Sequence, residues 1–211
     1  MARSLTKPLA EISTVLMLIV LHCSASYEIF VYKKNIPLPL NQFFDLVIKT
    51  SNFQKEYLQS ANREDLSIGE WMQNGGYSTR QMNFTQKVAS PPGIPSKIHT
   101  VSTQQCKLIA DKEIKMTEKF TFTGFVANSF KLDTQWTIEP NHDGVQVQAV
   151  TSIQFNKRSA FLPPFVKKKI SISVAKDLEK TMLVWSNMVN NFNSEQCQRN
   201  FLNYIQRLMT N

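Results

Sequence analysis

Apolar residues recur along this chain in two rhythms, and the change of rhythm divides it. YEIFVYK (27–33) reads as a short strand. In 38–61, Leu40, Phe43, Phe44, Val47 and Ile48 fall at helical spacing, and Ser51 or Asn52 caps a second short helix to Ala61, with Phe53, Tyr57 and Leu58 on one side. The rhythm then shortens to two. Strands are predicted at 68–73, 77–88, 98–110, 113–123, 129–140 and 144–155. Asn74-Gly75-Gly76 and Asp143-Gly144 tolerate the positive φ that tight hairpins require. Phe130, Leu132, Trp136 and Ile138 share one face, opposite Lys131, Asp133, Gln135 and Glu139. Val145, Val147, Ala149, Ile153 and Phe155 share another. Such alternation predicts an antiparallel sheet covered on one side.

Pro163-Pro164 ends the last strand, and a period of three to four returns. Val166, Ile170, Val174, Leu178, Met182, Trp185 and Val189 predict a long amphipathic helix over 165–190, and 197–209 a further one. The order of elements implies an α+β, helix-grip fold, in which a curved antiparallel sheet wraps a long C-terminal helix. One helix does not fill so wide a sheet, so an apolar cavity is expected between them. The domain is placed at 27–190, with 191–211 as a C-terminal tail.

Composition narrows the function. The 211 residues are 42% hydrophobic and 19% charged, which fits a packed core. The net charge of +8 suits an anionic partner. The lysines are spread and no Arg-rich helix is seen, so a membrane surface is favoured and nucleic acid is not expected. Three histidines and three cysteines offer few metal ligands, and no metal or cofactor is expected. Residues 1–26 form a hydrophobic leader. Ile12–Cys23 is too short to span a bilayer comfortably, and Ser24-Ala25-Ser26 resembles a signal-peptidase site; a cleaved signal and an uncleaved anchor both fit. With a signal, the chain is secreted, Asn83-Phe84-Thr85 becomes a glycosylation acceptor, and Cys106 and Cys197 could join.

From Tyr27 to Asn190 the chain resembles the VASt domain, the StAR-related lipid-transfer-like module of the Aster and Lam sterol transporters. The likeness rests on PLPLNQFFDLV, SNFQKEYL, the Trp71 strand, GYSTRQMNFT with Arg80, the Pro-rich loop, the Glu118 strand, SFKLDTQWTI and FNKRSAFLPPFVKKKI. GFVAN stands where the family has an aromatic turn with Pro-Tyr. The resemblance implies a START-like fold and non-enzymatic transfer of a sterol or related lipid. It also implies a place on the cytosolic face of the endoplasmic reticulum, at membrane contact sites. The nine residues ASPPGIPSK are long for a hairpin turn, and here they correspond to the family's lid: Pro91, Pro92, Gly93, Ile94 and Pro95.

The cavity wall is expected from Met82, Phe84, Val101, Phe120, Phe122, Phe130, Trp136, Val147 and Ile153, with Val174, Leu178 and Met182 on the helix. Arg80 and Glu118 share inward parity with these residues. They are expected to pair at the cavity's end, with a water linking them to a sterol hydroxyl. Lys167, Lys168 and Lys169 open the long helix against its dipole, which suits anionic headgroups. No nucleophile motif is present. An enzyme acting on a cavity-bound ligand, with Glu118 and His99 as its acid–base groups, is one alternative. A secreted, disulfide-stapled lipid carrier is another.

Overall fold

The computed structural model describes residues 18–20, 27–87, 97–109, 112–123 and 129–209. Nine strands among them form one antiparallel sheet. They are β1 (Leu18–Val20), β2 (Tyr27–Ile36), β3 (Arg63–Ile68), β4 (Met72–Asn74), β5 (Tyr77–Lys87), β6 (Lys97–Ile109), β7 (Glu113–Phe122), β8 (Phe130–Asn141) and β9 (Gly144–Phe155). The sheet order is β1-β2-β9-β8-β7-β6-β5-β3, with β4 paired to β5. Every chain neighbour from β5 to β9 is a hairpin, whereas β2 returns to pair with the last strand. The helices are α1 (Leu40–Phe43), α2 (Ser51–Ser60) and α3 (Pro164–Met209). This is the helix-grip fold, with α3 on the concave face.

Burial follows the alternation. Even-numbered residues of β2, β5, β6, β7 and β8 and odd-numbered residues of β9 face inward. α3 begins at the sheet end that carries Phe122, Phe130 and Phe155, and crosses toward the opposite end. Ile170, Val174 and Leu178 pack near the first end, and Met182, Trp185 and Val189 near the second. Its 46 residues run about 69 Å, against about 43 Å for the 13 residues of β6, so the helix outruns the sheet. Two helices were expected in this stretch; the backbone is one. No helix among the described residues is long and apolar enough to cross a membrane.

The expected strand at 68–73 is divided. β3 ends at Ile68 and β4 starts at Met72, leaving Gly69–Trp71 between them. Gly69 donates its N–H to the Gln81 carbonyl at 2.8 Å, and a Cβ there would stand 3.0 Å from that oxygen. β3 itself carries a bulge between Glu64 and Ser67, with Asp65 at φ 53°. Between α1 and α2 the chain winds wider, as a π-helical segment at Phe44–Lys49. Side chains serve carbonyls this segment exposes. Thr50 Oγ1 donates to the Asp45 carbonyl at 2.6 Å, Gln54 Nε2 to Val47 at 3.0 Å and Trp71 Nε1 to Ile48 at 3.1 Å.

The β8–β9 turn sits at His142-Asp143, one residue earlier than expected, with the Asp143 N–H bonded to Asn141 Oδ1 at 3.1 Å. Gly144 opens β9 at φ 154° where Ile36-Pro37 crosses; a Cβ would meet the Ile36 carbonyl oxygen at 2.2 Å.

Candidate functional site

One register row crosses the concave face and is polar where its neighbours are apolar. Arg80 on β5 stands opposite Gln104 on β6, Gln104 opposite Glu118 on β7, Glu118 opposite Thr134 on β8, and Thr134 opposite Thr151 on β9. All five are buried. Arg80 Nε donates to Gln104 Oε1 at 2.7 Å. Gln104 Nε2 donates to Glu118 Oε1 at 3.0 Å, and Ser102 Oγ donates to the same oxygen. The hydroxyls of Thr134 and Thr151 lie 2.9 Å apart. Trp71, held by the Ile48 carbonyl, lays its ring 4.3 Å from the Arg80 guanidinium carbon. A helix end, an indole, a guanidinium, an amide and a carboxyl are thus linked in sequence.

The expected direct pairing of Arg80 with Glu118 is a correction: Gln104 stands between them and relays from one to the other. Burial lifts the Glu118 carboxyl above the ordinary carboxylate range, against the Ser102 hydroxyl, the Gln104 amide and the Arg80 charge. Burial lowers Arg80 to about 10, against the pull of Glu118, so it stays charged at neutral pH. The guanidinium's Nη1 and Nη2 make no hydrogen bond, and neither do Thr100 Oγ1 and Trp136 Nε1; the Tyr32 hydroxyl is near Ser186 but outside hydrogen-bonding geometry. Trp136 Nε1 is close enough to Glu118 to favour its charge, yet lies outside hydrogen-bonding geometry. Buried donors of this kind ordinarily find partners, so the row can still accept a polar group.

Apolar flanks lie on both sides of the row. Toward the start of α3, Phe120, Phe122, Phe130 and Phe155 form a chain of ring contacts with centroids 5.3–6.3 Å apart. Toward the other end, Trp136 meets Trp185 at 5.6 Å and Trp185 meets Phe43 at 6.0 Å. A pocket between β2, β9 and α3, touching Phe30, Tyr32, Thr151, Leu178 and Met182, holds only about 30 Å³. A drug-sized ligand needs about 300 Å³ or more.

The expected cavity residues are placed as follows. Arg80, Met82, Phe84, Glu118, Phe122, Trp136, Val147, Ile153 and Met182 are buried on the concave side, and Phe120, Phe130, Val174 and Leu178 are half-buried against the same cores. Val101 is a correction. It lies on the outer face between Asn83 and Thr121, because β6 turns Thr100, Ser102, Gln104 and Cys106 inward. His99 shares that outer face, so the structure does not bring it to Glu118. Cys106 is a free, buried thiol in the core, its pKa pushed up to about 11 by burial, and the side chain of Cys197 lies outside the described residues. The lid residues Pro91, Pro92, Gly93, Ile94 and Pro95 lie outside the described residues. Lys168 and Lys169 are exposed on the first turns of α3, with Lys167 half-buried. Among the described residues no group of His, Cys, Asp or Glu could hold a metal.

Four contributors were not anticipated: Gln104, Ser102, Thr134 and Thr151. Their signal was inward parity on strands whose inward apolar residues were already counted.

The family model described as the VAD1 Analog of StAR-related lipid transfer domain, VASt, matches residues 30–177. This chain belongs to that family. The VASt match runs from within β2 to the first third of α3 and includes the whole polar row. No curated protein matches the chain in sequence. Solved structures similar to the VASt domain include the following three. TTHA0849 from Thermus thermophilus is 13% identical, with 76% of this chain and 96% of that one covered and a TM-score of 0.48. The Streptomyces aromatase/cyclase Zhui is 14% identical, with 81% and 96% covered and a TM-score of 0.49. The major latex-like protein 151 from Panax ginseng is 10% identical, with 79% and 97% covered and a TM-score of 0.45.

Proposed function

We propose that this protein binds a sterol between its sheet and α3 and carries it between membranes without altering it. The observation that supports this reading best is the polar row on an apolar concave face. A sterol presents the matching chemistry, one hydroxyl on a large hydrocarbon. The hydroxyl would accept from the unpaired Arg80 guanidinium or Trp136 N–H, while the rings lie along the phenylalanine flank. Hiding about 400 Å² of apolar surface would contribute about 10 kcal/mol before the costs of association. Membership of a StAR-related lipid-transfer-like family supports the lipid class. In this reading the sterol enters between α3, β2 and β9, with the loop at 89–97 serving as the lid.

The donor and acceptor membranes are anionic, and the site of action is the cytosolic face of the endoplasmic reticulum, at contacts with another membrane. The test is titration of the full chain with a fluorescent sterol delivered from cyclodextrin, with native mass spectrometry for stoichiometry. One sterol per chain at micromolar concentration or below is expected. Binding of fatty acid or phospholipid in its place overturns the sterol assignment, and turnover of the ligand overturns the carrier reading.

A further inference from the structure

Two phenylalanines at the corner between β9 and α3 are turned out to solvent. Phe161 is 91% exposed and Phe165 is 63% exposed. Their exposure does not come from a loose loop. Ser159 N–H donates to the Asn156 carbonyl at 2.9 Å, Leu162 N–H to Ser159 at 2.9 Å and Val166 N–H to Pro163 at 2.9 Å. The Ser159 hydroxyl donates to the Asn156 carbonyl at 2.6 Å and is itself buried. Pro163 and Pro164 fix two φ angles and remove two N–H donors, which would otherwise need partners in a poorly hydrated environment. The corner is therefore a rigid bracket that holds two rings outward.

Directly behind the rings come Lys167, Lys168 and Lys169. The first turn of α3 contains no acidic residue, so nothing there offsets the clash between these charges and the helix dipole. None of the three forms an ion pair among the described residues. Lys168 and Lys169 are exposed, while the Lys167 ammonium lies 5.9 Å from the Phe155 ring centroid; aromatic rings ahead of cations without a carboxylate partner match a bilayer with an anionic headgroup layer over hydrocarbon. The corner also stands at the sheet end where the Phe122, Phe130 and Phe155 rings lead inward.

We propose that this corner is the part of the protein that enters an anionic membrane, with Phe161 and Phe165 as the inserted anchors and Lys167, Lys168 and Lys169 as the headgroup contacts. It draws on the carrier reading only for the expectation of a membrane partner. The basic cluster brings the protein to the surface, and the rings then hold the aromatic end of the sheet against the lipid that is to be extracted.

The experiment uses full-length chains and phosphatidylcholine vesicles with and without phosphatidylserine. Phe161→Trp and Phe165→Trp are each compared with the native protein for quenching by brominated phosphatidylcholine. Extra quenching at both positions is expected with phosphatidylserine present. The double variant Phe161→Glu/Phe165→Glu is expected to bind these vesicles about tenfold or more weakly, with unchanged melting and unchanged sterol uptake from cyclodextrin. Lys167, Lys168 and Lys169 changed together to Gln should remove most of the salt dependence of vesicle binding. Absent quenching, or native vesicle binding by the Glu variant, overturns the proposal. So does a native dimer that the Glu variant dissolves, which would make the corner an interface between copies of this chain. Quenching without any sterol binding leaves the insertion intact and removes the carrier reading instead.

Discussion

The two ends of the concave face are built differently. At the end where β2 finishes, α1, the π-helical segment and α2 fold over the sheet, and Ile36, Leu38, Phe43, Val47, Ile138, Val145 and Val147 are almost wholly buried. At the other end, where β9 leads through a 3-10 turn (Lys157–Phe161) into α3, Phe122, Ile153 and Phe155 are buried but Phe120, Phe130, Ile98, Ile170 and Val174 are only partly so. The polar row lies between them. One end is stoppered by local chain, and the other is lined with aromatic rings that keep some access to solvent. A carrier needs this inequality, since a ligand should have one way in and a fixed stop.

The contrast can be broken by substitution. The largest effect is expected at the stoppered end, where Phe43→Ala should cost about 4 kcal/mol in urea unfolding. Gly144→Ala at the same end should cost about 2–3 kcal/mol, because its methyl group would be driven into the Ile36 carbonyl. Phe130→Ala, at the aromatic end, should cost about 1–2 kcal/mol, since its ring is only half-buried. It should change the rate of sterol uptake more than the Phe43 change does, measured on variants that remain folded. Equal costs at Phe43 and Phe130 would erase the distinction between the ends.

Two titrations sharpen it. Burial raises the Glu118 carboxyl in the folded state, so the folded protein holds that proton to higher pH than the unfolded chain. Stability from this group is therefore full at low pH and falls as pH rises above the ordinary carboxyl range. Glu118→Gln, which keeps the acceptors for Ser102 and Gln104, should raise the melting temperature at neutral pH and match the native protein at acid pH. A native protein more stable than the variant at neutral pH would show that Arg80 outweighs burial. The smallest effect is expected at Glu64, an exposed carboxyl held down to about 2 by hydrogen bonds to Lys87 and Lys97. Its contribution is present above the ordinary carboxyl range and lost as pH falls toward 2. Glu64→Gln should shift the neutral-pH melting temperature slightly, and the shift should vanish in high salt.

Legibility tracked the chemistry of each strand. In β8 and β9 the inward residues are apolar apart from Thr134 and Thr151, and most outward ones are polar, so alternation placed both faces correctly. In β6 the inward row is Thr100, Ser102, Gln104 and Cys106 while Val101 points outward, so hydrophobicity indicated the wrong face. The row that makes the interior distinctive is thus the row that the apolar pattern hides. β3 was missed because REDLSI carries its bulge at Asp65, which breaks the two-residue period. Trp71 was read as a strand residue; its bond to the Ile48 carbonyl depends on a π-helical turn 23 residues away, which no local signal announces.

The pairing of β2 with β9 sets a clock on biogenesis. β5 through β9 meet as successive hairpins, each able to form as soon as its second strand is made. β2 emerges early and has no long partner until β9 follows, so a ribosome must finish nearly the whole sheet first. Through that interval Phe30, Tyr32 and Ile36 are exposed on an unpaired strand, the kind of segment that chaperones hold. Cells that make this protein faster than β9 can close the sheet should accumulate it as aggregate nucleated at β2.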